Sequence, residues 1–252
     1  MSRKDLTAAS ASVPEYSGTP DILRNRLLGK LGDADLATLM SHLEPVELEV
    51  GLVLAKHGEL LSHAYFPEGC VLSIVAYMAD GTGVEVGTIG DEGMAGLPAY
   101  LEGATSEGET LVQIPGRAMR MRISSLIEEA NASPSLRRVL NQFAQAYMTQ
   151  LAQNGACNRL HGIEQRCARW LLMTHDRMGR PNIMPLKQEF LAFMLGVRRA
   201  GVSVAAGALQ DAGLIRYRRG SIRVIDRDGL QNAACECYLI IRDSFERMLA
   251  SA

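Results

Sequence analysis

Aromatic side chains are scarce in this chain of 252 residues: they make up 5% of it, with a single Trp. Its cores must be packed instead from Leu, Val, Ala and the 12 Met. No apolar run reaches the length of a membrane span. The N-terminal stretch MSRKDLTAASASVPEYSGTP lacks the apolar segment of a signal peptide. These absences predict a cytoplasmic protein with no membrane partner. The five cysteines are odd in number and follow no secretory signal, so they read as reduced thiols. Net charge is only −2, which excludes a generally cationic protein.

At 47% hydrophobic, the chain has enough apolar surface for one or two domains. Residues 1–20 are rich in Ser, Thr, Ala and Pro without periodicity and read as a disordered tail. Leucines from Leu23 to Leu43 predict a short helical hairpin broken near Gly32-Asp33. From Pro45 to about Ile123, short runs of β-formers alternate with glycines, and Asp80-Gly81 is a hairpin-turn signal. Many short strands at this spacing predict an antiparallel roll, so residues 21–132 read as one β domain with flanking helices.

A short helix over 124–130 precedes a long one over 133–160, with Ser133 as cap and Pro134 at the first helical position. Leu136, Leu140, Phe143 and Tyr147 step by four, three, four, and the stripe continues polar through Gln150 and Asn154. It can pack on its own barrel or pair with its twin. The heptad spacing favours a dimer seam. His161 to Arg177 is a further amphipathic helix, Met178 to Pro185 a loop, and Asp228 to Leu249 a last helix.

Between these lies the stretch with the sharpest signal. Phe190, Leu191, Met194 and Leu195 repeat at helical spacing, and Gly196 supplies a turn. Val202, Ala206 and Leu209 repeat again, and Gly213 closes the second helix. Leu214-Ile215 and Ile222-Val224 then flank a basic tip, as in a hairpin. Residues 185–227 hold eight basic side chains against three acidic ones, a net of +5 in a chain of −2. Helix, turn, helix and wing with a basic island is the footprint of a double-stranded DNA binder. The predicted contacts are Arg198, Arg199, Ala200, Ser203 and Val204 on the second helix, Lys187 and Gln188 before it, and Arg218 and Arg219 in the wing. Gly201 and Gly207 read as close-approach positions, against the first helix or against DNA.

The order of these parts resembles the Crp/Fnr superfamily of bacterial transcription regulators, over about residues 21–226. YFPEGCVLSIVAYMADGTGVEVGTIGDEGMAGLP, ACNRLHGIEQRCARWLLMTHDR and QEFLAFMLGVRRAGVSVAAGALQDAGLI carry it. The resemblance implies an α+β fold: an N-terminal antiparallel β-roll, a long dimerisation helix over 133–160, and a C-terminal winged helix-turn-helix over 161–252. It also implies a homodimer on a two-fold symmetric operator, contact with RNA polymerase, and a roll that senses an effector through Gly93, Ala95, Gly96, Leu97 and Thr110. Nucleotide-binding relatives carry a Gly-Glu pair and then an Arg-Ser pair for the phosphate. Here Ala95-Gly96 stands in the first place and no arginine follows until Arg117, so cyclic AMP is not expected. Iron–sulfur relatives use mostly N-terminal cysteines, whereas the first here is Cys70. His57 and His63 are lone histidines, weak grounds for haem. Relatives read bases with Arg, Glu and Arg where Arg199, Ala200 and Val204 stand, so only the first is kept.

Other constellations point to no enzyme. His42, Asp33 and Ser41 form no triad. Cys157 and His161 are four apart on a helix and could share a metal. Cys235 and Cys237, read on one helix, differ by about 200° and cannot converge on an ion. They read as small buried thiols, with no metal and no cofactor. The alternative to a DNA-binding regulator is a ligand-sensing or scaffold protein whose C-terminal domain binds a protein.

Overall fold

The computed structural model describes residues 24–103, 105–178, 183–218 and 220–251. The tail read over residues 1–20 lies outside them. Helix α1 (Asp33–Met40) starts after Gly32, where the sequence breaks the leucine pattern. Two sheets form the roll. In one, β7 (Gly116–Arg122) lies between β1 (Glu44–Leu48) and β3 (His63–Glu68). In the other, the order is β2 (Val53–Ala55), β6 (Glu109–Ile114), β4 (Val71–Tyr77), β5 (Gly83–Ile89). The strand pairings in both sheets are antiparallel. Asp80-Gly81 turns β4 into β5: Gly81 has φ 81°, and the Asp80 carboxylate accepts from the Thr82 N–H at 2.8 Å. The interior is aliphatic, as the scarcity of aromatics requires, with Leu72, Leu111, Met94 and Met121 buried beside Phe66.

Helix α2 (Leu97–Tyr100) lies between the strands β5 and β6. Helix α3 (Ile123–Ala132) leads into α4 (Pro134–Leu160). The Ser133 hydroxyl accepts from the Leu136 N–H at 3.1 Å and Pro134 follows, the start that the sequence signals. The seam does not behave as the heptad suggests. Leu136, Leu140, Phe143, Tyr147, Gln150 and Asn154 are all buried inside the protomer, with Phe143 wholly so. Strand β5 is the open edge of its sheet, and its carbonyls need donors. Gln150 Nε2–H donates to Thr88 O at 2.8 Å and Asn154 Nδ2–H to Val86 O at 2.9 Å. Phe143 stacks on Tyr147, with ring centroids 5.9 Å apart. The stripe therefore covers the protomer's own roll, and its polar end satisfies an edge strand instead of setting a partner's register.

Helix α5 (Ile163–Arg177) was expected to bury one face. The structure also buries Arg166, Arg169 and Arg177, because the helix is enclosed by the roll, α4 and the C-terminal elements. Strand β8 (Ile183–Met184), where a loop is expected, pairs with β10 (Ser221–Val224), which pairs with β9 (Ile215–Arg218). The single last helix is two: α8 (Arg227–Ala233) and α9 (Cys237–Ala250). Asp226 caps α8 by accepting from Gly229 N–H at 2.9 Å. Phe245 of α9 reaches Phe143, with centroids 6.4 Å apart.

Between roll and α5 lies a buried polar chain. Trp170 Nε1–H donates to Glu85 Oε1 at 2.8 Å, and Ser73 Oγ lies 2.6 Å from Glu85 Oε2 and 2.8 Å from Gln113 Oε1. Gln113 Nε2–H donates to Thr174 Oγ1 at 2.9 Å. Ser73 has one proton for two acceptors. A protonated Glu85 resolves the conflict: it donates to Ser73, which donates to Gln113. Burial raises the Glu85 pKa from 4.5 to about 7, against its hydrogen bonds and the Arg169 and Arg177 charges. The folded form thus holds this proton more tightly than the unfolded chain. The contribution is complete below about 4.5 and is lost as pH rises towards 7. Urea titrations over that window should show stability falling with pH, and Glu85→Gln should flatten the slope. An unchanged slope in the variant would mean that Glu85 is ionised throughout.

Candidate nucleic-acid interface

Helix α6 (Gln188–Met194) buries Leu191, Ala192, Phe193 and Met194. Gly196, with φ 62°, then turns the chain so close to the roll that a Cβ would meet the Val84 side chain at 2.9 Å. Helix α7 (Arg199–Asp211) leaves at 106° to α6, within the range of helix-turn-helix units. It buries Val202, Ala205, Ala206 and Leu209. The opposite side presents Arg198, Arg199, Ala200, Ser203 and Val204, all exposed, as the 100° periodicity requires. Val204 is 67% exposed, far more than an isopropyl group gains from in water.

The start of α7 is basic and has no side-chain cap, since Arg198 occupies the cap position. Two contacts tie it to α6. Ser203 Oγ–H donates to Gln188 Oε1 at 2.9 Å, and Arg199 Nη1 pairs with Glu189 Oε1 at 2.9 Å. Both Arg199 and Glu189 face solvent, where such a pair contributes about 0–1 kcal/mol. A phosphate or guanine edge can replace that partner at little cost.

The wing stands beside it. Ser221 opposes Arg218 and Ile222 opposes Tyr217. Ile215, Ile222 and Val224 face inward, while Arg216, Arg218 and Arg223 face solvent. Tyr217 N–H donates to Gln210 Oε1 at 2.9 Å and its hydroxyl to Leu186 O at 3.4 Å, which fixes the hairpin to α7 and the segment before α6. Lys187 lies at the hairpin turn: a Cβ on Gly220 would stand 3.7 Å from its Cγ. Arg219 lies outside the described residues. Arg216 and Arg223 were not singled out from the sequence as contacts, although strand alternation places them on the outer face with Arg218.

The proposed effector positions are spent on packing. Ala95 N–H donates to Tyr65 O at 2.8 Å and Gly93 N–H to Gly90 O at 3.2 Å, so neither amide is available to a phosphate. The Phe143 ring occupies the space a Cβ on Gly93 would fill. Ala95, Leu97 and Thr110 are buried, and Gly96 adopts φ 104° ahead of α2.

Two further corrections concern glycine and cysteine. A Cβ on Gly201 or Gly207 would meet none of the described residues within 4 Å, so close approach to α6 is not their role. Cys235 lies in the break between α8 and α9, so the 200° argument against Cys235 and Cys237 fails. The two converge with Cys157 and His161. Gly207→Ala should raise the stability to urea by about 1 kcal/mol, the helix-propensity difference with no steric cost. A loss of stability would reveal a contact at Gly207 absent from the described residues.

Residues 165–233 match the family of the Crp-like helix-turn-helix domain. A sequence comparison with curated proteins finds no match. Among solved structures, FixK2 from Bradyrhizobium japonicum superposes with a TM-score of 0.66 at 16% identity, over 77% of this chain and 98% of that one. A CRP-family transcriptional regulator from Thermus thermophilus gives 0.63 at 16% identity, over 75% and 96%. The c-di-GMP-responsive global regulator CLP of Xanthomonas campestris gives 0.62 at 15% identity, over 77% and 99%. The chain carries a Crp-like helix-turn-helix domain within the fold of the Crp/Fnr regulators.

Proposed function

We propose that the protein is a sequence-specific DNA-binding transcription regulator that acts as a homodimer on a near-palindromic operator. One observation carries this reading. The exposed, basic start of α7 stands beside an equally exposed basic wing, while the inner faces of both are buried. Arg199 is the base-reading residue, through a two-pronged bond to guanine. Ala200 and Val204 offer apolar contact to thymine methyls. Arg198, Ser203, Lys187, Gln188, Arg218 and Arg219 hold the phosphates, with RNA polymerase as the further partner. A roll without a cation at Ala95-Gly96 does not take up a cyclic phosphate, and its effector is of another kind.

The two groups of residues should fail differently. Arg199→Ala should cost about 1–3 kcal/mol on the cognate site and relax the preference at one base per half-site. Arg218→Ala with Arg219→Ala should weaken cognate and random DNA alike, and lower the salt slope by about 0.9 for each phosphate no longer neutralised. Binding-site selection with wild type and Arg199→Ala reads the first, and gel shifts at several salt concentrations read the second. An unchanged site preference in Arg199→Ala would remove the base-reading role. Absence of any competitor-resistant shift on genomic fragments would favour a protein partner for this surface.

The dimer forms through the other face of α4. Asn141, Gln145, Met148, Ala152 and Gly155 are exposed and alternate by four and three, with Met148 57% exposed. Small residues at Ala152 and Gly155 let a second α4 approach closely. Two α7 helices then stand about 34 Å apart, one turn of DNA. Met148→Glu with Ala152→Glu should give monomers by light scattering while keeping the far-ultraviolet spectrum. A folded dimer with both charges present would place the interface elsewhere.

A further inference from the structure

The end of α4 and the break between α8 and α9 carry a cluster that DNA binding leaves unused. Cys157 and His161 stand one helical turn apart at the end of α4. Cys235 lies in the break, and Cys237 is the first residue of α9. One ligand atom from each falls within 4.8 Å of all the others. Cys157 Sγ is 3.4 Å from Cys235 Sγ, and Cys237 Sγ is 3.4 Å from His161 Nδ1. Tetrahedral zinc, with bonds of about 2.3 Å to sulfur and about 2.0–2.1 Å to nitrogen, sets its ligands about 3.5–3.8 Å apart. These two separations lie within tenths of an ångström of that spacing, and the remaining pairs lie within 4.8 Å. The three cysteines are buried in a small core of their own, away from bulk water.

We propose that Cys157, His161, Cys235 and Cys237 form a tetrahedral site for one zinc ion, which clamps the end of α4 to the start of α9. The surroundings supply what such a site requires. Glu236 Oε1 lies 3.3 Å from His161 Nε2, so Nε2 carries the proton and Nδ1 turns its lone pair towards the sulfurs. A carboxylate behind the ligating imidazole is the usual orienting partner of a zinc histidine. Gln153 Nε2–H donates to Cys237 Sγ at 3.1 Å. Three thiolates around a divalent ion leave one net negative charge. Arg169 and Arg166, both buried, interact with Cys157 and offset it. Their Nε atoms have no hydrogen-bond partner among the described residues. Arg166 also donates to Leu195 O at 2.5 Å, at the end of α6, so the site is one side chain away from the helix-turn-helix.

Three S–H bonds break on binding, their protons pass to the buffer, and the ion sheds its waters. Affinity therefore rises with pH. Mixed sulfur and nitrogen ligands in a tetrahedron select zinc over magnesium, calcium or manganese. The close spacing suits a single ion rather than a cluster.

The test uses the full chain, reduced and stripped of metal under anaerobic conditions, with Co²⁺ as the optical probe. One equivalent of Co²⁺ should give the intense visible bands of a tetrahedral site together with sulfur-to-cobalt charge transfer, and Zn²⁺ should bleach both. His161→Asn and Cys237→Ser should abolish stoichiometric binding. Glu236→Gln, at an exposed carboxylate, should weaken Zn²⁺ about 10–100-fold. Cys167→Ala, away from the cluster, should bind as wild type does. Circular dichroism identifies any variant that fails to fold, and the wild-type titration stands regardless of them. A wild-type chain with no tetrahedral cobalt spectrum would overturn the site. So would full affinity in folded His161→Asn and Glu236→Gln. Failure to take up metal combined with ready Cys157–Cys235 disulfide formation by a mild oxidant would make the cluster a thiol pair instead.

Discussion

The structure turns on the burial of one guanidinium. Arg177, at the end of α5, is enclosed by the roll, α4 and α9. Its Nε–H donates to Glu92 Oε1 at 2.7 Å, one Nη to Met173 O at 3.1 Å and the other to Gln150 Oε1 at 3.3 Å. Its Cζ lies over the Phe245 ring, 5.6 Å from the centroid. Removing either member of a buried ion pair strands the other charge, at about 3–5 kcal/mol. Such a contact adds little net stability but tolerates few alternative geometries. It dictates how α5 lies on the roll.

That constraint propagates to the surface. Once α5 is placed, the Trp170–Glu85 and Gln113–Thr174 bonds hold it in register with the strands. The same helix carries Cys167, Leu171 and Trp170 into the core shared with α6 and α7. Phe193 of α6 reaches Tyr77 of the roll, with centroids 6.1 Å apart, and Gly196 abuts Val84. The outward face of α7 is thus set by contacts to the roll and not by the helix-turn-helix alone.

Local chemistry was legible wherever it acts over a few residues. Ser133-Pro134 starts α4, Asp80-Gly81 turns β4 into β5, and Gly213, at φ 75°, closes α7. The inner and outer faces of α7 follow from helical spacing, because a face is a property of one helix. What covers the α4 stripe is not legible, for the complementary reason. A heptad stripe says that one face is covered but not by what. Here an edge strand of the same chain takes that face, its carbonyls accepting from Gln150 and Asn154 for want of a neighbouring strand. The reading of the C-terminus as one helix failed at Ala234-Cys235-Glu236, where no Pro or Gly marks the break. That break is what lets four potential metal ligands converge.

By itself the sequence determined the succession of roll, long helix and helix-turn-helix with its wing, and the basic exposed face of α7. Each is encoded by spacing, capping and turn residues that act within a few positions. Only the tertiary structure decided which helix covers β5, that three arginines of α5 are buried, and that Cys157, His161, Cys235 and Cys237 meet. Those outcomes depend on groups separated by about eighty residues, such as Cys157 and Cys235 or Glu92 and Arg177. Such pairs leave no periodic trace in the chain. Their meeting is set by the sum of packing and charge compensation across the whole core.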